Sequence, residues 1–328
     1  MSVQSPAAVV MVRPHHFAPN PQTVADNGFQ PSTDGLDEDA FAASAYEEVT
    51  RAAAAIEAAG VTVHLFEDET RHRPDSVFPN NWISTHSGGH IALYPMFTPN
   101  RRTERRSDIV ELLKTTYRVQ DVIDYSGLEY DDVFLEGTGA MVLDHESRIA
   151  YAARSNRADP IALERFCTNF GYEPMVFDAV DGRGIAVYHT NVIMSIATEY
   201  ALLATDMIVS PVRRQEIIDR LSARGRRDVI ALTNEQIDEF SGNALELWGS
   251  QGRVLALSRR AYDALTADQR ERIERSARLL PLDVPTIELA GGSVRCMLAG
   301  IHLDPRPGLV ERHATPADAA SADEVAAL

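Results

Sequence analysis

Residues 134–144 read FLEGTGAMVLD and residues 148–153 read RIAYAA. A helical stretch follows from Asp159 to Asn169, and residues 174–179 then read PMVFDA. Apolar runs rich in β-branched residues mark strands, and the wider apolar spacing between them marks a helix. The same order of strand, turn, strand, helix, strand then returns. YHTNVIMSIA (188–197) and YALLATDMIV (200–209) lead into a helix from Pro211 to Ala223 and then DVIAL (228–232). NALELWGS (243–250) and RVLALS (253–258) lead into a helix from Thr266 to Leu279, with Thr266 as N-cap, and then DVPTIEL (283–289). Upstream, NWISTH (81–86) and HIALYP (90–95) precede a helix from Thr103 to Thr116 and RVQDVID (118–124).

A fifth copy is divided between the chain ends. SVRCMLAGIHL (293–303) supplies one strand, while VVMVRP (9–14), a helix around Glu47 to Ala59 and VTVHLF (61–66) supply the rest. Placing both ends in one module closes a ring without a terminal blade that could fray. The period therefore predicts an α/β fold, a five-bladed α/β propeller with pseudo-fivefold symmetry. We expect a flexible N-terminus over 1–7, one catalytic propeller domain over 8–303, and a disordered or loosely attached tail over 304–328, which is rich in Ala, Asp, Glu and Pro.

Equivalent positions in the five modules are Asn81, Glu136, His189, Asn243 and Cys296, spaced about 53 to 55 residues apart. Each is expected at the start of its first strand, facing the central channel. A ring of amide, carboxylate, imidazole, amide and thiol is poor material for packing and good material for chemistry. A free cysteine is most often a small buried hydrophobe, and a lone histidine at a strand start is most often structural. Their shared register makes Cys296 a nucleophile and His189 a proton shuttle. Glu136 would orient substrate, since a carboxylate facing a dry channel needs a donor. Cys167 lies on the apolar stripe of Leu163, Phe166 and Phe170 and reads as core.

Composition narrows the class. The chain has 328 residues, 45% of them hydrophobic, and a formal net charge of −17, which disfavours nucleic acid. No apolar run approaches the roughly 20 residues that span a bilayer. No signal peptide opens the sequence, so we expect a cytoplasmic enzyme. Two cysteines exclude a disulfide framework. No metal site is expected: His86 and His90 flank a Ser-Gly-Gly turn rather than sharing a helix face.

At these residues the chain resembles the guanidine-modifying, or pentein, superfamily, which includes arginine deiminases, dimethylarginine hydrolases, amidinotransferases and a citrulline-hydrolysing branch. MVRPHHF, DSVFPNNW, FLEGTG, YHTNV and GGSVRCMLAGIHL carry the resemblance across nearly all of the folded chain. It implies the same propeller, no cofactor, and a covalent thio-intermediate resolved by water.

The departures from the family pattern point to the substrate. Arginine deiminases end the D-x-x-F segment with an acid and follow the histidine with H-x-D; the matching residues here are Asn81 and Asn191. Losing both anions removes the complement of a buried guanidinium, whereas amides suit a neutral ureido group with both donors and an acceptor. The expected reaction is hydrolysis of citrulline to ornithine, CO2 and ammonia, within arginine metabolism. Asp75 and Asn243 are further expected substrate contacts. Asn27 or Asn20 would reach the α-amino acid end, and Arg13 or Arg295 the carboxylate. Arg295 could also turn inward to hold the thiolate. The competing functions are an arginine deiminase or dihydrolase, an amidinotransferase, and a non-catalytic propeller that binds another protein. The expected partner is a small-molecule amino acid, with no nucleic acid and no membrane, and the sequence is compatible with a homo-oligomer.

Overall fold

A computed structural model describes residues 3–23 and 37–307. Five three-stranded sheets make up the fold, and each repeats one pattern: an antiparallel pair followed by a parallel third strand reached through a helical crossover. One module holds β1 (Ala8–Pro14), β2 (Thr62–Asp68) and β15 (Ala299–Gly300), with the helix Glu38–Ala58 between β1 and β2. The next holds β3 (Ile83–His86), β4 (His90–Leu93) and β5 (Asp121–Asp124). The third holds β6 (Met141–Asp144), β7 (Ile149–Ala153) and β8 (Glu173–Phe177), and the fourth β9 (Met194–Ile196), β10 (Tyr200–Leu203) and β11 (Asp228–Ala231). The fifth holds β12 (Leu245–Gly249), β13 (Gly252–Ser258) and β14 (Arg278–Leu282).

The split module forms as expected. Val9 of β1 pairs antiparallel with Gly300 of β15 and parallel with Val63 of β2. Central strands such as β7 and β10 are buried throughout, which explains their unbroken apolar runs. The crossover helices cover the sheets with one face. In Pro160–Phe170 that face is Leu163, Phe166, Cys167 and Phe170, so Cys167 is core.

Two boundaries move. The third strand of the fifth module is Arg278–Leu282, while residues 285–288 of the expected strand form a helical turn opened by Pro285. Its helix ends at Glu274, but Thr266 does cap it, through a reciprocal capping box with Gln269. Residues 3–7 are not loose. Gln4 is buried, donating to the carbonyls of Leu143 at 3.1 Å and Ile196 at 3.0 Å. At the other end, residues 304–307 are also held, the N–H of Arg306 donating to Thr116 O at 3.0 Å; the rest of the expected tail lies outside the described residues. Among the described residues no helix is long and apolar enough to cross a membrane.

Candidate active site

The ladder residues do meet, though not quite from strand starts. Each sits in or beside a tight turn just ahead of its strand. Asn81 ends the turn Pro79–Asn81, Glu136 precedes the single helical turn Gly137–Ala140, and His189 precedes Thr190–Val192. Cys296 lies within the turn Val294–Met297, just before β15. Glycines make the close approach feasible. A Cβ on Gly139 would lie 2.2 Å from Asn81 Nδ2 and 3.0 Å from His189 Cε1, so no larger residue fits between them.

Glu136 is wholly buried. Its Oε2 meets His189 Nε2 at 2.8 Å and Arg157 Nη1 at 3.4 Å, and its Oε1 accepts from the Phe97 N–H at 3.1 Å. Burial pushes the Glu136 carboxyl up, but Arg157, His189 and Arg101 outweigh it and hold the group well below its ordinary range. Burial pulls His189 down, opposed by its hydrogen bond to Glu136. This carboxylate is therefore saturated by protein donors and oriented towards the imidazole.

Asn191 and Asn243 converge on the nucleophile position. Their Nδ2 groups donate to Cys296 Sγ at 3.4 Å and 3.3 Å. Asn243 also accepts the Arg295 N–H on Oδ1 at 3.0 Å. Two amide donors from different modules thus fix the position of one sulfur. Asn191, expected at the substrate, is here a ligand of the sulfur.

Cys296 and His189 share a small cavity, about 20 Å³ of free space, with Asp75, Phe78, Asn81, Tyr188 and two buried arginines, Arg101 and Arg157. Arg101 donates through Nη1 to Asn81 Oδ1 at 3.0 Å and through Nη2 to Glu104 at 2.9 Å; its Nε lies 3.5 Å from Asp75. Asp75 also accepts from Asn20 Nδ2 at 2.7 Å. Burial pushes Asp75 up against the pull of Arg101, and pushes Glu104 up to about 7.

The remaining expected contacts are placed elsewhere. Arg13 is bound by Glu67 and Thr50 and does not line this cavity. Arg295 lines a different cavity. Asn27 lies outside the described residues. Sequence reading missed Arg101 and Arg157. Arg101 stands in the run NRRTERR, which looks like a solvated surface, yet its turn faces inward with Glu104 buried beside it. Among the described residues no group of three or more His, Cys, Asp and Glu is placed to hold a metal ion.

A family model described as N,N dimethylarginine dimethylhydrolase, eukaryotic, matches residues 13–303. Compared by sequence with curated proteins, the chain matches none of them. Among solved structures it is similar to the N-terminal domain of ArgZ, an arginine dihydrolase from the ornithine–ammonia cycle in cyanobacteria. That match has a TM-score of 0.69 and 16% identity over 90% of this chain and 99% of that one. Unliganded AgrE matches at a TM-score of 0.70 and 17% identity, over 92% of this chain but 40% of that longer one. A dimethylarginine dimethylaminohydrolase adduct with S-methyl-L-thiocitrulline matches at a TM-score of 0.59 and 16% identity, over 92% of this chain and 100% of that one. At these identities the structural likeness establishes the five-bladed pentein fold.

Proposed function

Because the chain belongs to the N,N-dimethylarginine dimethylhydrolase family, whose fold serves hydrolysis of guanidino C–N bonds, we propose that it hydrolyses the ureido group of citrulline, with Cys296 as nucleophile and His189 as proton carrier. The observation that carries the substrate class is the orientation of Asn81. Arg101 has only donors, so the atom it meets at 3.0 Å must be the amide oxygen. Among the described residues Asn81 Nδ2 has no hydrogen-bond partner. What Asn81 has left to offer is an N–H. A ureido oxygen accepts it, whereas a guanidinium, which bears only donors, does not.

Charge supports the same reading. Two guanidinium groups line the cavity, and among the described residues Asp75 is the one carboxylate in its lining, already matched by Arg101 and Asn20. Glu104 and Glu136 behind it are likewise paired with Arg101 and Arg157, so a third cation would find every nearby carboxylate committed. A neutral head group and a substrate carboxylate need none.

The Cys296 thiol, held by Asn191 and Asn243, passes its proton to His189 Nδ1 as its sulfur attacks the ureido carbon. The bond from that carbon to the ornithine nitrogen breaks, and His189 gives that nitrogen its proton. With Nε2 committed to Glu136, the proton passes through Nδ1. Water then attacks the S-carbamoyl group and loses a proton to His189, and the C–S bond breaks to release carbamate. Carbamate decomposes to CO2 and ammonia, so one water is consumed per citrulline. Glu136 acts through His189 as a positioning residue, because its oxygens are filled by protein.

Asp75 is the observation that favours a rival: a buried carboxylate at the cavity could pair with arginine if Arg101 yielded it. Incubation with citrulline, arginine and N,N-dimethylarginine separately, with ornithine, citrulline, ammonia and dimethylamine quantified, decides between them. Ornithine and ammonia from citrulline are expected. Turnover of arginine or dimethylarginine with none of citrulline would overturn the ureido reading.

A further inference from the structure

The ring encloses a second cavity, with about 40 Å³ of free space, whose lining includes neither Cys296 nor His189. The strands β3, β6, β9 and β12 and Gly300 of β15 all contribute to its wall, so it lies on the ring axis. Gln4 closes part of it, accepting the His145 N–H at 2.9 Å while its own amide holds two carbonyls.

Among the described residues this cavity is lined by one cation, Arg295, and by no Asp or Glu. One guanidinium nitrogen, Nη1, donates to Leu298 O at 2.9 Å. Among the described residues no carboxylate lies within ion-pair distance of it. His145 and His302 face the same space, their rings stacked with centroids 3.9 Å apart. Burial and the charge of Arg295 hold His302 down to about 4, and burial with His302 and other neighbours holds His145 well below its usual value. Burial lowers Arg295 itself to about 10, and the group opposing that fall is Cys296. The Arg295 side chain is part-buried, and among the described residues it has no counter-ion, whereas charges withdrawn from water are ordinarily paired.

We propose that the axial cavity binds a small monovalent inorganic anion of the halide class, held by the guanidinium of Arg295 beside the His145–His302 pair. One cation with spare N–H groups suits one negative charge, and the walls leave no room for a long organic anion behind Gln4. The site has a consequence for the neighbouring residue. The positive charge of Arg295 stands one residue from Cys296, and the Asn243 side chain bridges the Arg295 N–H to the sulfur. An anion in the cavity cancels that charge, so its binding makes the thiol less reactive. This holds whichever substrate the other cavity takes.

Bromide is the probe. In crystals grown with sodium bromide, an anomalous peak is expected beside the Arg295 guanidinium. In solution, bromide replacing gluconate at constant ionic strength should raise Tm and slow iodoacetamide labelling of Cys296 about threefold to tenfold, saturably. Arg295→Met should remove both effects. Should that variant fail to fold, His302→Phe keeps the guanidinium but fills the space, and should abolish the bromide dependence. Only water at the axial cavity, or a bromide effect on labelling that persists in His302→Phe, overturns the proposal.

Discussion

Asn243 donates to the sulfur of Cys296 at 3.3 Å, and the same side chain accepts the peptide N–H of Arg295 at 3.0 Å. The amide cannot rotate without losing both bonds, so it presents a fixed donor to the sulfur. Asn243→Ala removes a donor from the sulfur and should slow iodoacetamide labelling of Cys296 at neutral pH about tenfold. It should also cost about 1–3 kcal/mol of stability by leaving a buried N–H unpaired. Labelling followed by mass spectrometry checks the first, and urea unfolding the second. An unchanged labelling rate would remove Asn243 from any part in the reactivity of the sulfur.

The two cysteines should behave as opposites. Cys296→Ser is nearly isosteric and should abolish turnover with little change in Tm. Cys167 sits among Phe166, Phe170 and Tyr172 with burial pushing its thiol up to about 12, so it should resist iodoacetamide in the folded protein. Cys167→Ala should keep full activity and cost about 1 kcal/mol, as a small core deletion does. More than a few per cent of activity in Cys296→Ser would sink the covalent mechanism.

His189→Asn should lower kcat by about two to four orders of magnitude, the usual worth of general acid–base help. Glu136→Gln should lower it through His189 and also destabilise the fold by about 3–5 kcal/mol, because Arg157 and Arg101 lose a shared buried counter-charge. Chemical denaturation separates the two variants: His189→Asn should unfold near the wild-type midpoint and Glu136→Gln well below it. Equal midpoints would mean that Glu136 carries little of the buried charge balance.

Asn81→Asp tests the substrate class with almost no change in shape. The new carboxylate still accepts from Arg101, but the free N–H becomes an oxygen. The specificity constant for citrulline should fall at least tenfold relative to that for arginine. A wild type that already prefers arginine, or a variant with an unaltered ratio, contradicts the role given to Nδ2.

Acid should destabilise this protein from an unusually high pH. His86, His145 and His189 are buried and His302 is partly so, and burial lowers each folded pKa below the ordinary 6.5. The unfolded chain then binds more protons, so their stabilisation is complete above pH 6.5 and is lost as pH falls towards the folded values. His302, held near 4, accounts on its own for about 3 kcal/mol by pH 4. Glu104, raised to about 7, works the other way, its contribution fading as pH rises from about 4.5 to 7. Four histidines outweigh it. Tm should fall steadily between pH 6.5 and 4.5, and less steeply in His302→Phe; a level Tm over that range would show that the histidines are not buried neutral.

The ring was legible in the sequence because a repeat reports on itself: a misplaced strand in one copy is corrected by four others. The register of Cys296, His189 and Glu136 followed from the same periodicity. What periodicity could not reach was direction. Arg101 and Arg157 lie outside the repeat positions, on short turns whose side chains point inward only because Glu104, Asp75 and Glu136 wait there. Asn191 was legible as a departure from an acid but not as a donor to sulfur, since that bond joins residues 105 positions apart. Val3 to Ala7 lacks any pattern, and Gln4 is fixed by single hydrogen bonds to other modules.

The pairing of β1 with β15 joins residues roughly 290 positions apart. During synthesis the four complete modules can therefore assemble, with Glu136 and His189 in place, while β1, already paired with β2, waits without β15 on its other edge. The Cys296 thiol arrives with the strand that shuts the circle. Until that moment neither Asn191 nor Asn243 has a sulfur to hold. Under the proposed mechanism, chemical competence and topological completion are one event, and a nascent or clipped polypeptide would be inert. Contacts of such long sequence separation also form slowly, which makes ring closure the step on which the birth of activity should wait.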